Sequence, residues 1–229
     1  MKCLITQSNY IPWKGYFDNI AQADVFVIYD DMQYTKRDWR NRNKVKSPSG
    51  GKWMTIPLEV KGKYFQKINE TQISDPDWNK SHLDILNSYY AKASSYSEIK
   101  PWLTDLYLGC EHLIITDINR YFIEKINEYL GIEVKIMDSR EFELVEGKTE
   151  KLVGICEQLG ANHYITGGAA KNYIGEPLFS EKEIKIEYSD YEGYNEYRQL
   201  YPPFEHGVSI LDLILNEGKK TINFIKLLR

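Results

Sequence analysis

The chain has 229 residues, 42% of them hydrophobic and 27% charged, with a formal charge of −4, which is enough to close one sizeable globular core. A net negative charge argues against a protein that coats nucleic acid or an anionic membrane with its whole surface, and no run approaches 18 apolar residues. Three widely spaced cysteines without C-x-x-C, and four histidines without H-x-x-x-H or H-E-x-x-H spacing, predict neither a disulfide framework nor a metal site.

Residues 2–6 form a short apolar run and predict a strand. Asn and Pro break the pattern over residues 7–14, Tyr16, Ile20 and Ala23 then recur at helical spacing, and Asp24 precedes the continuous run Val25, Phe26, Val27, Ile28, Tyr29. A continuous rather than alternating run predicts a strand covered on both faces, as in a parallel sheet. A polar stretch over residues 32–52 leads to two expected strands, 52–60 and 64–73, turned at Lys61-Gly62-Lys63. Helices are expected over 78–93 and 96–108, and a third is opened by Asp117 and closed at Leu130 by Gly131. There follow a strand at 133–137, a helix at 148–159 backed by Gly160, a strand at 163–166 running into Gly167-Gly168, a last strand at 184–188, and closing helices at 209–215 and 220–228. No repeat or linker divides the chain, so residues 1–229 read as one domain, with a basic loop and hairpin over 32–73 and a helical segment over 78–131. The fold class expected is α/β: a Rossmann-like three-layer sandwich with a mainly parallel sheet, a β-hairpin excursion and a helical middle segment.

In open parallel sheets ligands bind beyond the carboxyl ends of the strands, which directs attention to four segments. The first is residues 7–16, where Gln7, Asn9 and Lys14 offer hydrogen bonds, Tyr10 and Trp13 offer rings, and Gly15 would let backbone approach a ligand at a helix amino end. The second begins at Asp30. Between residues 36 and 52 stand seven Lys or Arg against one Asp, a local +6, so the remainder of the chain sums to −10. Arg37, Arg40, Arg42 and Lys44, interleaved with Tyr34, Trp39 and Asn41, suit a phosphate and a stacked ring. Single-stranded nucleic acid also uses charge and rings, but one basic loop in an acidic chain favours a nucleotide or nucleotide sugar. The third segment is Thr166, Gly167, Gly168 and Lys171, a Gly-Gly turn opening a helix. It is not a Walker loop, and no G-x-G-x-x-G follows any strand. The fourth holds His206, the side-chain type suited to proton transfer near neutrality, followed by Ser209 as a helix-start residue and by Asp212 and Asn216 on one helical face, turned either inward or outward. His82 is expected at an ordinary helix start, and His112 and His163 are expected to be packed.

The run Gln7-Ser8-Asn9-Tyr10-Ile11-Pro12-Trp13-Lys14-Gly15-Tyr16-Phe17-Asp18, the continuation from Asp24 to Tyr34, the stretch Trp39-Arg40-Asn41-Arg42-Asn43 and the late Ser209-Ile210-Leu211-Asp212-Leu213 resemble the WbqC-like protein family. The resemblance implies a role in making bacterial surface polysaccharide such as the O-antigen of lipopolysaccharide, and the short apolar runs predict a cytoplasmic location. The opening strand, Pro- and Gly-bearing loop and helix also resemble the start of nucleotidylyltransferase-type Rossmann-like enzymes, although Trp13-Lys14-Gly15-Tyr16 stands where those carry H-x-G-H. The activity expected is a transferase that moves an acyl or aminoacyl group to the amine of a nucleotide-linked amino sugar. Arg37, Arg40, Arg42 and Lys44 would hold the diphosphate, Tyr10, Trp13 and Trp39 would stack, and His206 or Asp18 would take a proton. No cofactor is assigned, and the donor is either acyl-CoA or ATP with a free acid. The alternatives are an ATP-dependent ligase or nucleotidyltransferase of the same pathway, and a non-catalytic sugar-binding partner of a glycosyltransferase. Neither nucleic acid nor membrane insertion is expected, and a homo-oligomer is compatible with all of this.

Overall fold

In chain order the elements are β1 (Lys2–Thr6), α1 (Lys14–Ala21), β2 (Val25–Ile28), β3 (Arg42–Ser47), β4 (Gly50–Thr55), α2 (Trp78–Tyr90), α3 (Tyr96–Leu108), α4 (Ile115–Leu130), β5 (Lys135–Asp138), α5 (Lys148–Leu159), β6 (His163–Thr166), α6 (Glu176–Glu181), β7 (Lys185–Tyr188) and α7 (Ile210–Glu217). These come from a computed structural model that describes residues 1–228, so Arg229, the last residue of the expected domain, lies outside the described residues. Five strands form one parallel sheet in the order β5-β2-β1-β6-β7. Its middle strands are apolar on both faces because both are covered, while the edge strands β5 and β7 carry exposed Lys135 and Lys185. Leu4, Phe26, Ile28 and Ile165 pack against α1, α4 and α7, while Cys3, Ile5, Val25, Val27 and Tyr164 pack against α5 and α6. The result is the three-layer α/β arrangement, with α2 and α3 extending the first helical layer.

Helix ends follow local chemistry where the sequence marks them. Gly131 and Gly160 stop α4 and α5 in the left-handed region, at φ 70° and 68°. Asp117 is a correction: α4 starts two residues earlier, behind Ile114, and Asp117 sits in its first turn, with its carboxylate 3.1 Å from Arg140. The last segment is also corrected, because α7 breaks at Gly218 (φ 55°) into a 3-10 turn, Gly218–Phe224, in place of a second full helix.

The hairpin lies elsewhere than expected. Strands β3 and β4 pair antiparallel around Pro48-Ser49, with Lys44 opposite Trp53, whereas residues 58–73 carry the isolated bridges Leu58 to Ile73, Gln33 to Lys67 and Gln72 to Ile114 and a 3-10 turn. The β3 sequence hides its strand because its inward positions are Asn43 and Val45. Asn43 can be inside only because tertiary contacts satisfy its amide, which donates to the carbonyls of Tyr10 and Ile11 at 3.1 and 2.9 Å.

Beneath this hairpin lies a buried ring cluster of Tyr10, Trp78, His82, Tyr107 and Phe122. His82 Nε2 donates weakly to the Thr55 carbonyl (3.3 Å). Nδ1 therefore accepts from the Tyr10 hydroxyl (2.8 Å), which in turn accepts from Tyr107 (2.9 Å). Burial pushes the His82 pKa down from 6.5 to about 4. Between those values the unfolded chain binds a proton that the folded chain refuses, so stability falls as pH falls from about 6.5 to about 4, by about 3 kcal/mol in all. Burial raises Asp30 and Asp212 instead. The folded state takes protons there more readily, so acid favours the fold at both, and the acid loss is assigned chiefly to the buried His82, with the exposed His206, whose pKa is also lowered, adding a smaller share of the same sign. Urea unfolding of His82→Gln should show a flatter stability profile over pH 4–6.5 than the wild type. An unchanged slope would remove His82 as its cause.

Candidate functional site

The sheet order fixes where a ligand can enter. From β1 the chain moves outward to β2 and β5, then crosses back to lay β6 on the other side of β1. The loops after β1 and β6 therefore diverge and leave a crevice at the carboxyl ends of these strands. A cavity of about 790 Å³ occupies it, within the range of small-molecule sites. It is lined by Thr6 and Asn9, by Trp13, Tyr16 and Asn19, by Trp39, Arg40 and Asn43, by Gly167 after β6, by Tyr191, Glu192, Gly193 and Tyr194 after β7, and by His206 and Gly207 before α7.

Asp30, just past β2, ties the mouths of β1 and β2 together. Its carboxylate accepts from Ser8 N (2.8 Å), Ser8 Oγ (2.6 Å) and Thr116 Oγ1 (2.7 Å). Asn119 donates from the same side to Ser8 Oγ and to the Arg40 carbonyl at 2.8 and 2.9 Å. The clamp holds Asn9 beside Arg40, whose Nη1 donates to the Ser8 carbonyl (2.9 Å) and to Asn9 Oδ1. Arg40 Nε is buried and has no hydrogen-bond partner; Asp38 stands 3.8 Å from it. Among the described residues Arg40 is the cationic side chain lining the cavity.

The far wall is an irregular strap between β7 and α7. Trp13 meets Tyr191 and Tyr194 edge to face at 5.2 and 5.5 Å, Asn19 donates to the Tyr191 hydroxyl at 2.9 Å, and the Tyr194 hydroxyl donates to Asp18. The strap returns along the hairpin, where Lys44 pairs with Glu205 and Lys46 donates to the Pro203 carbonyl, and it presents an exposed His206 at the rim. Gln199 staples this turn to itself, donating to the Glu205 carbonyl (2.9 Å) and accepting from Glu205 N (2.8 Å). It also donates to Asp212 Oδ1 at 3.0 Å. Partial burial, then the nearby Lys14 charge, lower the His206 pKa, so the imidazole is largely neutral at pH 7.

Six of the residues singled out from sequence line the cavity: Asn9, Trp13, Trp39, Arg40, Gly167 and His206. The others lie outside the cavity lining, each with contacts of its own. Tyr10 is committed to the buried His82 network, and Asp30 to the loop clamp. Asp18 is 2% exposed and accepts from Tyr194 and from Leu227 N, so it is engaged and shielded from water. Lys14 is buried with Nζ donating to the Asn195 carbonyl (2.9 Å) beside the Tyr194 and Tyr197 rings. Gly15 admits the Trp13 indole, not a ligand, since a Cβ there would stand 2.6 Å from Trp13 Cη2. Gln7 contributes its backbone carbonyl to Tyr16, Tyr34 donates to Asn41, and Asn41 to the Ile56 carbonyl. Thr166 hydrogen-bonds Tyr164 and Ser189. Arg37, Gly168 and Lys171 are exposed away from the cavity, Arg42 stacks on Trp53, and Lys44 is paired. His112, expected inside, is exposed against Tyr121.

Sequence reasoning missed Asn19, Asn43 and the turn Tyr191-Glu192-Gly193-Tyr194. The last was findable: a Gly between two tyrosines directly follows β7, and the strand-end rule applied to β1 and β6 applies equally there. Asp212 and Asn216 face inward on a helix buried from Ile210 to Asn216. Ser209 caps that helix as expected, accepting from Leu211 N at 3.2 Å.

Among the described residues no helix is long and apolar enough to cross a membrane, and no cluster of His, Cys, Asp and Glu is arranged to hold a metal ion. No solved structure matches the chain. It is 46% identical over 228 residues to the uncharacterized protein Rv1507c of Mycobacterium tuberculosis, a match covering 100% of this chain and 99% of that protein. The model of the WbqC-like protein family matches residues 7–224, from the first cavity loop through the helix that carries Asp212, and the chain belongs to that family.

Proposed function

We propose that the protein is an enzyme of bacterial surface-polysaccharide synthesis that binds a nucleotide-linked amino sugar in the switch-point cleft and acylates its amine. The observation that carries this reading is the convergence of Arg40 and a neutral His206 on one ring-walled cavity. Arg40 gives the diphosphate a charge-assisted partner. The rings of Trp13, Tyr191 and Tyr194 give the sugar a wall that is apolar yet tipped with hydroxyls. His206 accepts a proton from the amine nitrogen as that nitrogen attacks the carbonyl of an activated acyl donor such as a thioester. The N–C bond forms, the C–S bond breaks, and the proton passes from His206 to the departing thiolate.

Titration calorimetry with a panel of UDP- and dTDP-linked amino sugars tests the binding half. Arg40→Ala should weaken the best of them about 10-fold or more, the worth of one charge-assisted hydrogen bond, while Lys171→Ala should leave it unchanged. If no sugar in the panel binds, or Arg40→Ala binds as the wild type does, the reading fails. Turnover tests the rest: kcat/KM should fall on an acid limb below pH 6.5 that His206→Ala removes. Binding with no acylation from any thioester or ATP-plus-acid donor would leave a sugar-binding protein.

A further inference from the structure

The lip of the cleft carries two indoles facing water, one of them, Trp53, on strand β4. Trp39 and Trp53 are 41% and 39% exposed, with ring centroids 5.3 Å apart and planes tilted 45°. Trp39 also lines the cavity, so the pair is continuous with it. We propose that Trp39 and Trp53 form the nucleobase-stacking subsite of the bound sugar nucleotide, an inference that rests on the cleft reading above and assigns where the base goes.

Three observations favour a base at this place. The platform is preorganised: the Trp39 carbonyl accepts from Tyr10 N at 3.0 Å, Trp39 N donates to Asp38 Oδ1 at 2.7 Å, and the Arg42 guanidinium lies 4.1 Å over the Trp53 ring. With the Trp39 backbone fixed and its indole packed on a Trp53 ring that Arg42 holds, the pair loses little freedom when a base lies on it. The charge around it is positive, since Lys36, Arg37 and Lys52 are exposed in the same +6 segment and the Arg42 guanidinium lies over Trp53, while Lys44 is balanced by Glu205. Such a field draws a ring that carries phosphates and gives a neutral sugar nothing. Geometry sets the order of the parts, because Trp39 and Arg40 are consecutive: a base on the lip puts its diphosphate at Arg40 and its sugar toward Trp13 and His206. Stacking accepts any base, so the platform recognises the nucleotide without choosing between uracil and thymine.

The test compares UDP, dTDP and inorganic pyrophosphate on wild type, Trp53→Ala and Trp53→Phe, with melting curves to confirm folding. Trp53→Ala should weaken UDP and dTDP about 10-fold or more. Trp53→Phe should keep most of the affinity, and pyrophosphate should bind all three proteins alike. Equal UDP affinity in wild type and Trp53→Ala overturns the subsite and leaves the cleft reading standing if UDP-linked amino sugars still bind. An equal loss of pyrophosphate affinity also overturns it, since Trp53 would then act through packing of the basic segment. Failure of the wild type to bind any nucleotide or nucleotide sugar overturns both readings.

Discussion

Asp212→Ala should lower the unfolding free energy by about 3 kcal/mol or more and release His206 from its place at the cleft rim. The carboxylate is fully buried on α7 and accepts from Tyr90 (2.6 Å), Tyr197 (2.7 Å) and Gln199 (3.0 Å). Removing it strands two buried hydroxyls at about 1–3 kcal/mol each. For a chain of this size that is a fall of roughly 6–12 °C in Tm. The same change frees Gln199, the residue that staples the turn at Glu205. The His206 pKa, now held down, should therefore return toward the ordinary histidine value in an NMR titration, a signature that general destabilisation would not produce. Asp212→Asn keeps one acceptor oxygen and should lose less. A calorimetric melt of Asp212→Ala that overlays the wild type would show that the network contributes nothing.

Gly15→Ala should damage the site more than its size suggests. At the start of α1 the added methyl would occupy the space now filled by the Trp13 indole, 2.6 Å from Cη2 and 2.7 Å from Cε2. Either the helix start shifts, at the 1–3 kcal/mol typical of overpacking, or the indole swings into the cavity it now walls. Both outcomes separate Trp13 from Tyr191 and Tyr194, so amino-sugar nucleotide binding should be lost along with a few degrees of Tm. A Gly15→Ala protein that binds and melts as the wild type does would show that Trp13 has another place to go. Gly168→Ala is the matched control, because a Cβ there meets open space.

The middle of the sheet was readable from residues alone because a continuous apolar run such as Val25 to Ile28 has no other way to satisfy both faces. The helices α4 and α5 were readable at their ends because Gly131 and Gly160 supply a backbone conformation that side chains resist. The hairpin was not readable. Arg42-Asn43-Lys44-Val45-Lys46-Ser47 shows one apolar residue in six, and Asn43 is inside only because the carbonyls of Tyr10 and Ile11 come to meet it from more than thirty residues away.

The site divides in the same way. The sequence by itself determined that the loops after β1 and β6 would stand at strand ends, and that a +6 segment with rings would lie in a chain otherwise summing to −10, while the sheet order brought the two loops to one crevice. Residue type could not determine which of those polar groups would face the crevice. A buried Asp, Lys or Tyr needs a partner as much as a binding residue needs a ligand, and Asp18, Lys14 and Tyr10 spend their hydrogen-bonding groups on Tyr194, Asn195 and His82. Only the tertiary structure decided that Tyr191, Tyr194 and His206 would close over Trp13 and Arg40. Those contacts join residues some 170 positions apart, and no local periodicity records a partner at that distance.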